Sequence, residues 1–359
     1  MIGTMKANIF YEKESMSLKE MDIPHIAENE VLIRVRACGI CGSDVSYYYG
    51  LSPLETPDGK GPLVLGHEIS GEVVEIGATV ARKGVLQVGD HVVVNPPQPC
   101  MNCVSCLNTH VNLCENTETV GVSCNGGFAE YVKVNYTNVY RVSDTVDWEE
   151  AAMCEPLACS CNGVRNLDVK LGDTVLVIGA GSIGLMMAQL IRMEGAGKVI
   201  VSGTSDFALE TARNVGADYT FNTRETSSPY YTDDISAAVK SVNNGMLADK
   251  VIVAVAKKPA YDDAFRASGK ASTIVFFGLP GETDVIEVPA LASLTSNKTI
   301  KFSWLAPFSW DMALKALVSE RLQLKPLITH IFPLEQVEEG IQFMHSRQPG
   351  KIKGMIVMR

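Results

Sequence analysis

The sequence predicts an α/β protein in which a doubly wound parallel sheet is inserted into a mostly-β domain. Short alternating segments such as EVLIRVRA (30–37), GEVVEIGA (71–78) and DHVVVNP (90–96) are separated by Gly, Pro, Asn and Asp. This pattern is typical of β-strands joined by turns, as in a barrel-like domain. After about residue 150, apolar strands alternate with helical stretches, which indicates a parallel sheet covered by helices on both faces.

The strands of the inserted domain are predicted one by one. TVLVI (174–178) precedes a glycine turn, a long helix and a second apolar strand that ends near residue 203. Further strands are predicted at DYTFN (218–222), DKVIVAV (249–255) and STIVFFG (272–278). The mixed character returns after about residue 295. We therefore predict a mostly-β domain made of residues 1–153 and 296–359, with residues 154–295 inserted between its two parts.

Composition excludes several classes of protein. The chain has 359 residues, with 31 basic and 41 acidic side chains and a formal charge of −10. This balance argues against nucleic acid or an anionic membrane surface as a partner. The N-terminus has no secretory pattern, and the most apolar segment (174–191) is interrupted by glycines. Ten cysteines without such a signal predict a reducing, cytoplasmic compartment.

The glycine turn GAGSIG predicts a site for a dinucleotide. It follows a predicted strand and opens a predicted helix, which is the context that the G-x-G-x-x-G pattern requires. The first glycine makes the turn, the second admits the pyrophosphate and the third lets helix and strand pack closely. We therefore predict a Rossmann domain. Its cofactor-binding turn is made of Gly179, Gly181, Ser182, Ile183 and Gly184.

The phosphorylation state of the dinucleotide stays open. NAD-binding domains usually carry an acidic residue at the end of the second strand, bonded to the adenosine ribose. Here that position is Gly203, followed by Thr204 and Ser205, whose hydroxyl groups can donate hydrogen bonds to a phosphate. No Arg or Lys follows in this run, and Asp206 lies close by. The predicted cofactor is therefore NAD or NADP.

Four cysteines lie in the segment PCMNCVSCLNTHVNLC, residues 99–114. Cys100, Cys103, Cys106 and Cys114 can close a tetrahedron around zinc and leave no position for a substrate. The competing interpretations are disulfides in an oxidised protein and, less favoured, an iron–sulfur cluster. We predict a structural zinc lobe over about residues 96–116.

A second set of ligand types is dispersed along the chain. Cys41, His67, Glu68 and Glu155 together resemble the ligand types of an open catalytic zinc site. Each also has an ordinary structural interpretation, as a buried cysteine, a core histidine or a helix-capping acid. Spacing alone leaves this site undecided.

The order of the motifs resembles that of the zinc-dependent medium-chain dehydrogenases over essentially the whole chain. The match is nearest to the sorbitol (L-iditol) or polyol dehydrogenase branch. The motifs that carry the resemblance are GICGSD (39–44), LGHEISG (65–71), the four-cysteine loop, GGFAEY (126–131), EPLA (155–158), GAGSIG (179–184) and KPLITHIFPLE (325–335). The resemblance implies a GroES-like catalytic domain, an inserted Rossmann domain and a homodimer or homotetramer.

The resemblance also implies roles for individual residues. Cys41, His67 and Glu68 correspond to catalytic zinc ligands, and Glu155 to an acid that binds zinc directly or through water. Cys154 and Cys159 are alternative ligands beside Glu155. Ser43 corresponds to the hydroxyl that begins the proton relay. Cys38, Cys124 and Cys161 have no motif role and are interpreted as packing residues.

The expected function is a zinc- and NAD(P)-dependent dehydrogenase with two zinc ions per chain, one catalytic and one structural. The expected substrate is a polyol or sugar-derived secondary alcohol, and the alternatives are L-threonine, an aldose or a simple secondary alcohol. A non-catalytic protein that binds zinc and a dinucleotide is the alternative from another class. The candidate substrate contacts are Tyr47, Tyr48, Ser303 and Trp304.

Overall fold

The structure, a computed structural model, describes residues 1–52 and 61–358. The chain forms two compact units. The first comprises residues 1–156, 328–348 and the segment from 353 onward, and the second comprises residues 157–327 and 349–352.

Helices and strands are numbered here along the chain. The helices are α1 (Gly42–Tyr48), α2 (Ala78–Lys83), α3 (Val104–Leu107), α4 (Trp148–Ala152), α5 (Cys154–Leu167), α6 (Ser182–Met193), α7 (Asp206–Asn214), α8 (Ile235–Val242), α9 (Lys258–Ala267), α10 (Ala290–Thr295), α11 (Trp310–Leu317) and α12 (Val337–His345). The strands are β1 (Thr4–Glu12), β2 (Ser15–Asp22), β3 (Glu30–Ile40), β4 (Leu63–Val64), β5 (Glu68–Ile76), β6 (His91–Val94), β7 (Pro97–Gln98), β8 (Glu118–Thr119), β9 (Tyr131–Asn135), β10 (Val139–Arg141), β11 (Thr174–Ile178), β12 (Lys198–Gly203), β13 (Tyr219–Asn222), β14 (Ala248–Val253), β15 (Ser268–Phe276), β16 (Thr299–Phe302), β17 (Ile328–Pro333) and β18 (Lys353–Val357).

The first unit is built from β-sheets, as its alternating segments predict. Its largest sheet has the order β10-β6-β5-β3-β18-β17, with β9 also paired to β3, and a smaller sheet has the order β2-β1-β4. The long strand β3 lies between β5 and β18, and both pair with it in antiparallel fashion. Its side chains Val31, Ile33 and Val35 are fully buried in the core of this unit. These pairings bring the first residues of β5 and of β18 beside the last residues of β3.

The second unit contains one parallel sheet of six strands in the order β13-β12-β11-β14-β15-β16. This is the strand order of a Rossmann fold, with the order reversing beside β11. The five residues of β11 are all buried, because helices cover both faces of the sheet. The fold class predicted from the sequence is therefore confirmed, including each predicted strand of the inserted domain.

The second domain boundary differs from the prediction. The first boundary, at residues 156/157, lies close to the predicted 153/154, within helix α5. The predicted boundary at 295/296 comes too early, because β16 pairs in parallel with β15 and continues the Rossmann sheet. The chain returns to the first unit only at β17.

Within the described part of the chain, no helix combines the length and the apolar character needed to cross a membrane.

Candidate active site and metal centres

The four clustered cysteines converge on one point. Their sulfur atoms all lie within 4.8 Å of one another. Cys114 Sγ lies 3.5 Å from Cys100 Sγ and 3.9 Å from Cys103 Sγ. The two-stranded sheet of β7 and β8 closes the base of this segment, with Pro97 opposite Thr119. The predicted lobe thus folds around its cysteines.

These distances fit a tetrahedral metal site. Thiolates bound to one zinc ion at about 2.3 Å stand about 3.8 Å apart, whereas a disulfide bond needs about 2.05 Å. None of the four cysteines takes part in a disulfide bond. A backbone hydrogen bond at Asn102 lowers the pKa of Cys100 to about 6, and burial raises the pKa of Cys106 to about 12. The cluster therefore includes a readily ionised sulfur, as a zinc site requires.

The second ligand group is assembled by strand pairing. Cys41 follows β3, while His67 and Glu68 stand at the start of β5. Because Gly39 of β3 lies opposite Glu68 of β5, these two strand ends meet. The ligand atoms of Cys41, His67 and Glu68 lie within 4.8 Å of one another. Three residues separated by up to 27 positions, 41 to 68 in the sequence, thereby form one group.

Asp44 orients the histidine of this group. Its Oδ1 lies 3.5 Å from His67 Nδ1, and its Oδ2 accepts a hydrogen bond from the backbone N–H of Cys41 at 2.8 Å. On the other side of the ring, Ser43 Oγ lies 3.5 Å from His67 Nε2. Carboxylates commonly hold metal-binding histidines in this way, leaving the second ring nitrogen for the metal.

Lys353 holds the carboxylate of the group. Its Nζ donates a hydrogen bond of 2.5 Å to Glu68 Oε1 and is also paired with Oε2. Lys353 is 3% exposed and Glu68 is fully buried. Lys353 reaches this point because β18 pairs with β3, with Gly354 opposite Ile40. A Cβ atom on Gly39 would stand 1.9 Å from Glu68 Oε2, so only glycine leaves room for the pair.

The donor set and its charges suit a cation. Burial by itself lowers the pKa of His67, but the negative charges of Asp44 and Cys41 outweigh it and raise that pKa well above its usual value. Burial likewise lowers the pKa of Lys353, but the charges of Glu68, Cys41 and Asp44 and the hydrogen bond to Glu68 together outweigh it and raise that pKa. Both shifts report a negative local potential. One thiolate, one imidazole and one carboxylate are zinc ligands, and three ligands leave a coordination position open.

The predicted acid Glu155 stands on a different element from the three grouped ligands. It lies in the first turn of α5 and is half-buried. Among the described residues, the ligand group comprises Cys41, His67 and Glu68, without Glu155. Its neighbours Cys154 and Cys159 are buried and also lie outside the group.

Cys38 and Cys161 are buried, and Cys124 packs against the core, as expected for packing residues.

The glycine turn lies at the carboxyl end of β11, where the strand order of the Rossmann sheet reverses. Gly179 has φ +114° and donates its N–H to the Ser202 carbonyl at 2.8 Å. A Cβ atom on Gly184 would stand 1.8 Å from the Gly179 carbonyl oxygen. By contrast, a Cβ atom on Gly181 would have no neighbour within 4 Å. Gly181 therefore faces open space, as expected of the glycine that a pyrophosphate approaches.

This difference in available space predicts different effects of alanine at Gly184 and at Gly181 on stability and on cofactor binding. Gly184→Ala is expected to lower the free energy of unfolding by about 1–3 kcal/mol, because the methyl group overpacks the turn. Gly181→Ala is expected to cost about 1 kcal/mol or less, since its φ of −79° suits alanine. It should nevertheless weaken dinucleotide binding. Urea denaturation and titration with NAD(P)H measure the two effects, and equal stability losses would contradict the placement of the turn.

Three of the four candidate substrate residues are buried. Tyr47 packs edge-to-face against Phe10, and the Tyr48 hydroxyl donates to Glu338 at 2.6 Å. Both tyrosines are at most 2% exposed. Ser303 is 6% exposed, and its Oγ accepts hydrogen bonds from the side chains of Asn162 and Asn166, both in α5. These contacts favour packing over substrate binding, whereas Trp304 is 38% exposed.

Sequence reasoning missed Asp44 and Lys353. The sequence could have indicated Asp44, because it is the last residue of GICGSD and lies one turn after Cys41. The indication for Lys353 is weaker, because it is only a single lysine at the start of the apolar strand KGMIV. Its partner depends on the pairing of β18 with β3, which the sequence does not reveal.

Comparisons with known proteins agree with this geometry. Residues 27–144 match the family model described as an alcohol dehydrogenase GroES-like domain, and residues 182–319 match that of a zinc-binding dehydrogenase. An L-threonine 3-dehydrogenase of Symbiobacterium thermophilum is 32% identical over 94% of this chain and 93% of its own. A sorbitol dehydrogenase of Gallus gallus is 30% identical over 95% and 93%.

The fold also matches solved structures. A protein described as a zinc-binding dehydrogenase from Sinorhizobium meliloti, bound to NADP, superposes with a TM-score of 0.89. It is 28% identical, and the match covers 99% of both chains.

Proposed function

The chain belongs to the zinc-binding alcohol dehydrogenase family, and from that premise we propose that it oxidises a secondary alcohol to a ketone, reversibly, with NAD(P). The hydride would pass from the carbinol carbon to C4 of the nicotinamide. The observation that carries the proposal is the group of Cys41, His67 and Glu68, which offers a metal three ligands and leaves a position for substrate.

Cys41, His67 and Glu68 would hold the catalytic zinc, with Glu155 proposed as a further ligand, directly or through water. Zinc bound there supplies a Lewis acid that lowers the pKa of an alcohol hydroxyl. Ser43, whose Oγ lies 3.5 Å from His67 Nε2, would accept the hydroxyl proton and pass it outward. Asp44 keeps the imidazole in one orientation. The four-cysteine cluster would hold a second, structural zinc.

We propose a polyol or sugar-derived alcohol as the substrate. The relatives act, by their names, on L-threonine and on sorbitol. Each of these is a secondary alcohol with a polar group on the neighbouring carbon. This shared feature supports a substrate of that class over a simple alcohol.

Turnover on a panel of alcohols tests this proposal. We expect NAD(P) reduction with sorbitol, arabinitol or 2,3-butanediol to exceed that with 2-propanol by about tenfold or more in kcat/KM, because a site that bonds a second polar group rejects an alcohol without it. Higher activity with L-threonine or 2-propanol would favour those alternatives. No turnover with any alcohol in zinc-loaded protein would favour a non-catalytic binding protein.

We also propose that the chain forms a homodimer or homotetramer in the cytoplasm. Strand β16 is the last of its sheet, and the apolar side chains of Leu291, Leu294 and Phe302 in α10 and β16 are 68–79% exposed. An exposed strand edge flanked by apolar side chains is typical of a surface that another chain covers. The four clustered cysteines lie together as a possible metal site and form no disulfide, which supports a reducing compartment.

A further inference from the structure

The ribose end of the dinucleotide site carries no acid. Strand β12 ends at Gly203, where NAD-binding Rossmann domains usually place a carboxylate that bonds the ribose hydroxyls. A Cβ atom on Gly203 would stand 2.9 Å from the Cβ atom of Ala180 in the glycine turn. Any side chain at this position would therefore displace the turn. The residues that follow, Thr204 and Ser205, present hydroxyl groups at a partly exposed surface.

The neighbouring strand brings a positive charge to the same place. Strand β13 pairs in parallel with β12, so the two carboxyl ends lie side by side. The Thr223 N–H donates to the Gly203 carbonyl at 2.9 Å. The next residue, Arg224, donates from Nη2 to the Thr204 carbonyl at 2.7 Å. Its side chain is 64% exposed. The guanidinium of Arg224 therefore lies beside Thr204, the residue after Gly203, where the acid is missing.

Two acidic residues, Glu225 and Asp206, lie near Arg224, and neither occupies all of its N–H donors. Glu225 Oε1 accepts from the same Nη2 at 3.0 Å, in an exposed ion pair of the kind that contributes little. A guanidinium has five N–H donors, so donors other than those on Nη2 remain for a ligand. Asp206 Oδ1 accepts hydrogen bonds of 2.6 Å from both Asn222 Nδ2 and Ser228 Oγ. These bonds hold the Asp206 carboxylate in a network of its own.

We propose that the chain selects NADP(H) over NAD(H), and that Arg224 determines this specificity by binding the 2′-phosphate of the adenosine ribose. The forked guanidinium matches phosphate oxygens, and the missing carboxylate at Gly203 removes the repulsion that excludes a phosphate from NAD sites. Thr204 and Ser205 donate further hydrogen bonds. The inference rests on the dinucleotide site of the proposed function, and it holds whichever alcohol is the substrate.

Binding of reduced cofactor without any alcohol tests the inference. We expect the Kd of wild-type protein for NADPH to be lower than that for NADH by about tenfold or more, the usual scale of a charged hydrogen bond. Arg224→Ala should raise the Kd for NADPH by about tenfold and change the Kd for NADH by less than about twofold. The control Arg266→Ala removes an exposed arginine of α9 and should leave both constants unchanged. Isothermal titration with 2′,5′-ADP and 5′-AMP should show the same pattern.

Other outcomes overturn the inference. Equal affinity of the wild type for NADPH and NADH would do so, as would an equal loss of both in Arg224→Ala, which would assign the arginine to the adenine or ribose. If neither cofactor binds, the proposed function fails as well. If NADPH is preferred but no alcohol is oxidised, the inference stands and the proposed function fails.

Discussion

Replacing Cys41 by serine is expected to abolish alcohol oxidation. The thiolate is one of three ligands in the open group, and a serine hydroxyl is a much poorer zinc ligand. Loss of the metal removes several kcal/mol of transition-state stabilisation, so kcat/KM should fall by about a thousandfold or more. The measurement is NAD(P)H production from the best alcohol of the panel, with matched zinc in the buffer.

The matched control for this variant is Cys124→Ser. Cys124 has the same intermediate exposure, lies in the same unit and packs against its core. Its activity should stay within about twofold of the wild type, as for other substitutions outside a special site. If Cys41→Ser kept activity comparable to that of Cys124→Ser, the group of Cys41, His67 and Glu68 would not be the reactive centre.

Replacing Lys353 by methionine is expected to give the largest loss of stability. The change leaves the carboxylate of Glu68 buried without its cation, and such losses cost about 3–5 kcal/mol. The control Lys6→Met removes an exposed lysine paired with Glu335 at 3.4 Å. Surface pairs of this kind are worth about 0–1 kcal/mol. Urea denaturation of the three proteins, each freed of zinc by the same chelator treatment so that no metal ion neutralises Glu68, gives the comparison.

A double variant identifies the cause of that loss. Lys353→Met combined with Glu68→Gln removes the buried charge as well as its partner, so most of the stability should return. Equal destabilisation by Lys353→Met and Lys6→Met would contradict the buried pair. A double variant less stable than Lys353→Met would assign the effect to lost packing of the lysine stem instead.

The sequence predicted those features that depend on local spacing. The four cysteines within fifteen residues predict their own convergence, because a short loop cannot place them far apart. Gly179, Gly181 and Gly184 predict the turn in the same way, since each glycine answers a local steric demand. Five of the six strands of the Rossmann sheet, β11 to β15, are also predicted directly from their apolar character.

Features that depend on strand register were not predictable from spacing. Cys41, His67 and Glu68 meet because β3 pairs with β5, and only the family resemblance indicated them beforehand. Lys353 and Arg224 each reach their positions through a strand pairing, β18 with β3 and β13 with β12, that the sequence does not reveal. The boundary at residue 295 failed for the same reason.

Tyr47 and Tyr48 illustrate what residue type alone leaves undecided. Tyr47 and Tyr48 follow the zinc motif and were candidate substrate contacts, yet helix α1 turns both into the core. The hydroxyl group and aromatic ring of a tyrosine suit both substrate binding and packing in the core. Burial is decided by the packing of α1 against α12, where Tyr48 meets Glu338 and Gln342.

We propose that the chain has a closed structural zinc site and a separate, open catalytic one. Counting zinc by atomic emission in wild-type protein and in Cys41→Ser tests it most directly. We expect about two zinc ions per chain in the wild type and about one in the variant, the remaining ion held by the four cysteines. One zinc ion per chain in both proteins would contradict it.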